Sequence, residues 1–241
     1  MDEILRKYLE LLRSVDAWFG SCLAKAGNRI SCRPGCSGCC RGLFDITFLD
    51  AYLLKSGFER LGGDLREGVL AKARSRLASL KREWPDFAAP YILNDFPDEE
   101  WTEMPEDDET PCPLLSAEGR CLVYDFRPMT CRLHGLPNID LSGESFSDAW
   151  CTLNFPGENP LGREDLRWPF RKTFEEELAL FREFTTLLLG HPRNELDTFI
   201  PTALLVDFEG TDWRKLESSL GRRMSSTTGI PRPDIPGPPI F

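Results

Sequence analysis

Cys32, Cys36, Cys39 and Cys40 fall in one short stretch, and Cys112, Cys121, Cys131 and Cys151 form a second, looser group; together they are eight of the chain's nine cysteines. Sulfurs gathered at short spacings on turning loops are what a zinc ion or an iron–sulfur cluster requires, because a soft metal takes several thiolate ligands that loops can bring together. The groups read C-x3-C-x2-C-C and C-x8-C-x9-C-x19-C, with 71 residues between Cys40 and Cys112. Each has four sulfurs, enough for one tetrahedral zinc, or the two could meet around a single cluster with cysteines to spare. Adjacent Cys39 and Cys40 cannot easily face the same metal, so one of them serves a second metal, bridges two, or packs in the protein.

The charge pattern points the same way. No acidic residue occurs between Ala17 and Phe44, where Lys25, Arg29, Arg33 and Arg41 are basic, and Arg120, Arg127 and Arg132 flank the second group. Nearby positive charge lowers a thiol pKa and favours the thiolate. His134, three positions after Cys131, reads as a surface histidine or one behind the ligands, with a ligand or acid–base role as the alternative, and His191 before Pro192 as a helix-end cap. Cys22 lies on an apolar helical stripe and reads as a buried small hydrophobe.

The stretch from Cys32 to Cys40, with Cys112-Pro113-Leu114-Leu115 and the run Arg120-Cys121-Leu122-Val123-Tyr124-Asp125-Phe126-Arg127-Pro128-Met129-Thr130-Cys131-Arg132, resembles the bacterial cysteine-cluster family described as zinc- or iron-chelating. That family includes relatives of flagellin lysine N-methylases. The resemblance covers roughly residues 30 to 135 and implies a cytoplasmic iron–sulfur or zinc protein whose ligands include Cys32, Cys36, Cys39, Cys40, Cys112, Cys121 and Cys131. Cys151 is added from spacing alone. Tyr124, Arg127 and Arg132 belong to the motif and are expected to pack around the cysteines and balance their charge. A methyltransferase role would rest on the resemblance only.

C-x3-C-x2-C is also the spacing of radical S-adenosylmethionine enzymes, but those alternate strands and helices in a partial barrel, whereas this sequence is poor in strand patterns. It also lacks a Gly-rich phosphate loop, a G-x-S-x-G elbow, an H-E-x-x-H pair and a Rossmann-like fingerprint.

Apolar residues at helical spacing predict a first helix over residues 2–26, opened by Asp2 and closed before Gly27-Asn28. Pro34 and Gly35 make the first cysteine segment a tight loop. A second helix is expected from Thr47, with Asp50 completing a capping box, and a basic amphipathic third helix from Leu65 to about Trp84. Residues 86–109 carry ten acidic residues and three prolines, and read as an exposed loop; the functional alternative is a lid or a dock for a basic partner. Cys112 to Tyr124 reads as a hairpin turning at Gly119, Pro128 as the opening of a short helix holding Cys131, and residues 133–172 as irregular connection. A Thr173–Glu176 capping box predicts a further helix ending at Gly190, and apolar runs at 199–206 complete the core.

Taken together, these elements predict a mainly α single domain over residues 1–220 with a small cysteine-rich hairpin and loop region, followed by a disordered Pro-rich tail over 221–241. The net charge of −10 argues against a nucleic-acid partner bound through a basic face. No stretch reads as an export signal or a membrane span. Cytoplasmic thiols that bind metal rather than forming disulfides are the expectation. The two cysteine loops are expected to come together around an iron–sulfur cluster, 4Fe-4S first, with Zn2+ as the alternative. The expected function is electron transfer or protein (lysine) modification with a protein partner or substrate, the alternative a non-catalytic zinc-binding interaction module.

Overall fold

The computed structural model describes residues 1–96 and 109–216. The expected tail lies wholly outside them, and so does half of the acidic segment, residues 97–108. The chain is mainly helical: α1 (Asp2–Ala26), β1 (Asp45–Thr47), α2 (Phe48–Phe58), α3 (Gly63–Glu83), α4 (Met129–Leu133), β2 (Asn138–Ile139), β3 (Ser145–Ser147), α5 (Phe170–Leu189), β4 (Asp197–Phe199) and α6 (Ile200–Ala203). β1 pairs antiparallel with β4, Ile46 opposite Thr198, and β2 pairs antiparallel with β3.

α1 forms because its apolar residues recur every three or four positions, and Ile4, Tyr8, Leu11, Leu12, Val15, Trp18 and Cys22 are buried along one stripe. Asp2 and Glu3 in its first turn and Lys25 in its last complement the helix dipole. That stripe packs along α5, whose Phe170, Leu180, Phe181 and Phe184 belong to the same core. The Trp18 indole N–H donates to the Leu166 carbonyl at 2.8 Å, fixing the chain that leads into α5. Gly190, at φ 93°, ends α5 in the left-handed conformation that glycine tolerates best.

α2 is buried almost all round. Thr47 caps it as expected, accepting from the Asp50 N–H, but the capping box is only half formed. The Asp50 carboxylate turns inward, where Oδ1 accepts from the Tyr8 hydroxyl at 2.7 Å and from the Met129 N–H at 3.1 Å. The second expected box fails outright, because α5 begins at Phe170 behind Pro169, and Thr173, already inside the helix, bonds back to the Pro169 carbonyl. α3 is the expected surface helix, burying only Val69, Ala73 and Leu80.

Of the acidic segment, residues 86–96 are anchored by apolar side chains while Asp86 and Asp95 stay exposed. Phe87 and Leu93 are buried and share a small core with Leu80 and Phe199. The apolar residues interspersed with the acids outweigh the charge in deciding where the backbone goes.

A second apolar cluster, with Ile46, Leu54, Phe58, Ala73, Leu114, Val123 and Leu204, joins α2, α3 and α6 to the second cysteine group. The approach is closest at Gly57, where an added Cβ would fall 2.4 Å from Phe126 Cγ and 2.6 Å from Phe126 Cβ. Phe126 belongs to the turn between Cys121 and Cys131, so this glycine sets how near that turn lies to α2. Gly57→Ala should therefore destabilise the protein by about 1–3 kcal/mol through overpacking, despite the gain in helix propensity. A melting temperature at or above that of wild type would show that Phe126 yields freely.

Candidate metal centre

The first cysteine loop leaves α1 through Gly27 and the buried Ile30. It folds as two consecutive turns, with the Cys36 N–H donating to the Arg33 carbonyl at 2.9 Å and the Cys40 N–H to the Ser37 carbonyl at 3.0 Å. Its exit is tied to the second group through backbone bonds: the Cys112 N–H donates to the Cys40 carbonyl at 2.9 Å, Arg41 bridges Pro111, and the Gly42 N–H donates to the Thr110 carbonyl. Its tip meets the predicted hairpin turn, since a Cβ on Gly119 would lie 3.0 Å from the Gly35 carbonyl oxygen. Cys40 and Cys112, 72 positions apart in sequence, are thus neighbours in space.

The hairpin exists as a tight turn without extended strands. Leu115 bridges Cys121, the Leu122 N–H donates to the Leu114 carbonyl at 2.9 Å, and Gly119 takes φ 74° at the turn. Pro128 is the N-cap of α4 and not its first residue, so the helix starts one position later than expected, and it carries Cys131. Arg132, on the same helix, is buried and donates to the Asp125 and Arg127 carbonyls at 2.8 and 2.9 Å and to the Asp16 carboxylate on α1. Cys112, Cys121 and Cys131 all pack against the second apolar cluster.

Cys151 sits elsewhere, beside the start of the first loop. Its N–H donates to the Gly135 carbonyl at 3.3 Å. A Cβ on Gly135 would lie 3.6 Å from Cys32 Sγ and 3.9 Å from Cys151 Cβ. Asn154 secures this corner: its Oδ1 accepts from the Ser31 N–H at 2.8 Å, and its Nδ2 donates to the Gly135 carbonyl at 2.7 Å and contacts Cys32 Sγ at 3.5 Å. Asn154 escaped the sequence reading because an asparagine in an irregular stretch resembles any turn residue.

Burial dominates the thiol electrostatics. It pushes Cys112 up to about 11 and Cys131 well up, the latter raised further by Cys112 and Cys121. Burial likewise raises Cys32, with added repulsion from Cys36, Cys151 and Cys39. Cys39 goes up and Cys40 down because the two side chains share a hydrogen bond; Cys40 also feels Cys112, Cys131 and Cys121. The expected lowering by basic neighbours is present but outweighed: Arg127 lowers Cys121 and Cys131, against a larger burial effect. Several of those cations are already engaged, Arg29 with Glu158, Arg41 with Glu109, and Arg127 and Arg132 with Asp16.

Cys22 is buried on α1, its Sγ 4.0 Å from the Asp165 carbonyl oxygen, as expected of a core thiol. His134 packs edge-on against Phe44 with centroids 5.7 Å apart, and burial lowers its pKa, which favours the neutral ring. Tyr124 is exposed beneath the Arg127 guanidinium, 3.6 Å from its ring centroid.

All nine cysteines are free thiols, so the donors are of the type a soft metal takes. Among the described residues no group of three or more His, Cys, Asp or Glu side chains stands ready-arranged to hold a metal ion. The residue types fit zinc or iron, and ligation requires the thiols to release their protons. Among the described residues no helix is long and apolar enough to cross a membrane. No protein-family model, no curated protein and no solved structure matches the chain.

Proposed function

We propose that this chain is a metal-binding protein whose cysteine loops hold an iron–sulfur cluster, with Zn2+ as the alternative metal. The observation that carries the reading is the backbone tie between the loops, Cys112 N–H to Cys40 carbonyl at 2.9 Å, which brings two cysteine groups distant in sequence to one place. A buried cysteine that serves no ligand needs no such scaffold, as Cys22 illustrates. Electron transfer, or modification of a protein such as lysine methylation, is the role the reading extends to; the second rests on the resemblance to the cysteine-cluster family. The cytoplasm, where thiols stay reduced, is the compartment this chemistry suits.

A zinc-holding interaction module is the second reading, favoured by the packing of Cys112, Cys121 and Cys131 against a buried apolar cluster, as in closed structural sites. Anaerobic purification with elemental analysis and visible absorption decides between them. A brown protein with sulfide and iron supports the cluster, and a colourless one with zinc supports the module. A well-folded chain free of both metals, from cells supplied with both, sinks the proposal. Cys121→Ser should lower metal content in either case.

A further inference from the structure

The Tyr8 hydroxyl stands between two carboxyl groups in a place closed to solvent. Tyr8, on α1, is 0 % exposed, and its oxygen lies 2.7 Å from Asp50 Oδ1 on α2 and 3.0 Å from Glu177 Oε1 on α5. A phenol has a single proton to give. Where it goes follows from the company each carboxyl group keeps. Asp50 Oδ1 also accepts from the Met129 N–H at 3.1 Å, and the buried Arg132 guanidinium favours the charged form of Asp50. The 2.7 Å contact is the length of a hydroxyl donating to an ionised oxygen. Asp50 is therefore the accepting end.

The Tyr8 oxygen then has only lone pairs to turn toward Glu177. An ionised Glu177 would set its own lone pairs against them, leaving a buried polar contact unbonded. A protonated Glu177 makes the same 3.0 Å contact a hydrogen bond. We infer that Glu177 is a proton-dependent latch: as a neutral acid it donates to Tyr8, Tyr8 donates to Asp50, and loss of that one proton to solvent loosens α5 from α1 and α2.

The surroundings favour the neutral form. The charges that act on Glu177 from the elements packed against it are Asp50 on α2 and Asp197 on β4, both acidic, and with burial they raise it above the ordinary carboxylate range. Asp197 is itself raised by burial and accepts from the Asn94 amide. On α1, Lys7 is engaged with Glu183 at 4.0 Å, and Arg132 on α4 acts on Asp50. Glu177 is half-buried whereas Tyr8 and Asp50 are buried, so Glu177 is the member with a path for its proton to leave. The latch is independent of whether the cysteines hold metal. A carboxyl group whose pKa is higher in the folded chain than in the unfolded one stabilises the fold fully below its unfolded value of 4.5, and that contribution is lost as the pH rises through the folded value.

Thermal unfolding of the intact chain from about pH 5 to about pH 9 tests this against Glu177→Gln, whose amide N–H can donate to Tyr8 at every pH. Wild type should lose more stability than the variant as the pH rises, so that the melting temperature of Glu177→Gln gains on that of wild type by about 2–4 °C across the range. Asp50 and Asp197 are present in both proteins, so their titration is common to the two curves. Parallel curves overturn the latch. Carboxyl-carbon NMR of Glu177 in the wild type decides the matter even if the variant does not fold. A midpoint at least about one pH unit above the ordinary 4.5 is the expected result, and any lower midpoint overturns the proposal.

Discussion

Arg132→Met should lower the unfolding free energy by about 3–5 kcal/mol, the range for breaking a buried charge network from one side. The Arg132 side chain is 2 % exposed, and it supplies donors to the carbonyls of Asp125 and Arg127 as well as to Asp16. Methionine fills the volume and leaves both carbonyls without that donor under the turn that leads to Cys131, at about 1–3 kcal/mol for each buried group. Asp16 is 39 % exposed and keeps Arg127 as a partner, so Asp16→Asn should cost far less. Equal losses for the two variants in urea unfolding would mean that the ion pair, and not the carbonyl bonds, carries the stability.

Asp50→Ala should cost about 2–3 kcal/mol, because it orphans the buried Met129 N–H that opens α4 and takes one of two acceptors from the hydroxyl of the fully buried Tyr8. A single carboxylate thus joins α1, α2 and the helix carrying Cys131. The Tyr8 hydroxyl also lies 3.0 Å from Glu177 Oε1, and one phenolic proton cannot serve two carboxylates. Burial and the charge of Asp50 push Glu177 upward, so that it can carry the second proton. Asp50→Asn keeps an acceptor in place and should recover more than half of the loss; an asparagine variant as unstable as the alanine one would show that charge, not hydrogen-bond geometry, is what α4 requires.

Arg132 and Asp50 mark where sequence reading stops. α1 and α5 were legible because a long amphipathic helix writes its buried face into the spacing of Leu, Phe and Ile. The first cysteine loop was legible because Pro34 and Gly35 admit little else, and the eight cysteines stood out by composition. Asp50 was legible only as a helix-start residue. Local spacing made it a partner of Thr47, which its N–H is, while the partners of its carboxylate are 42 and 79 positions away. Thr173 misled in the same manner, since a Ser or Thr followed by an acid matches a capping box wherever it falls, and the proline at 169 set the true start of α5. Arg132 could be assigned to the cysteines by proximity along the chain, but its reach to Asp16 on α1 depends on how α1 crosses α4. Asn154 carries no pattern at all; only the fold puts its amide between Ser31 and Gly135.

The order of these parts along the chain has a consequence for biosynthesis. The Cys32–Cys40 turns are translated early, yet the residues that enclose them, Cys112 and Asn154 among them, emerge much later, and the α1 stripe finds its α5 partner later still. Contacts this distant in sequence form slowly and only after both ends exist. A nascent chain therefore exposes four thiols to the surrounding redox chemistry until most of the polypeptide has left the ribosome.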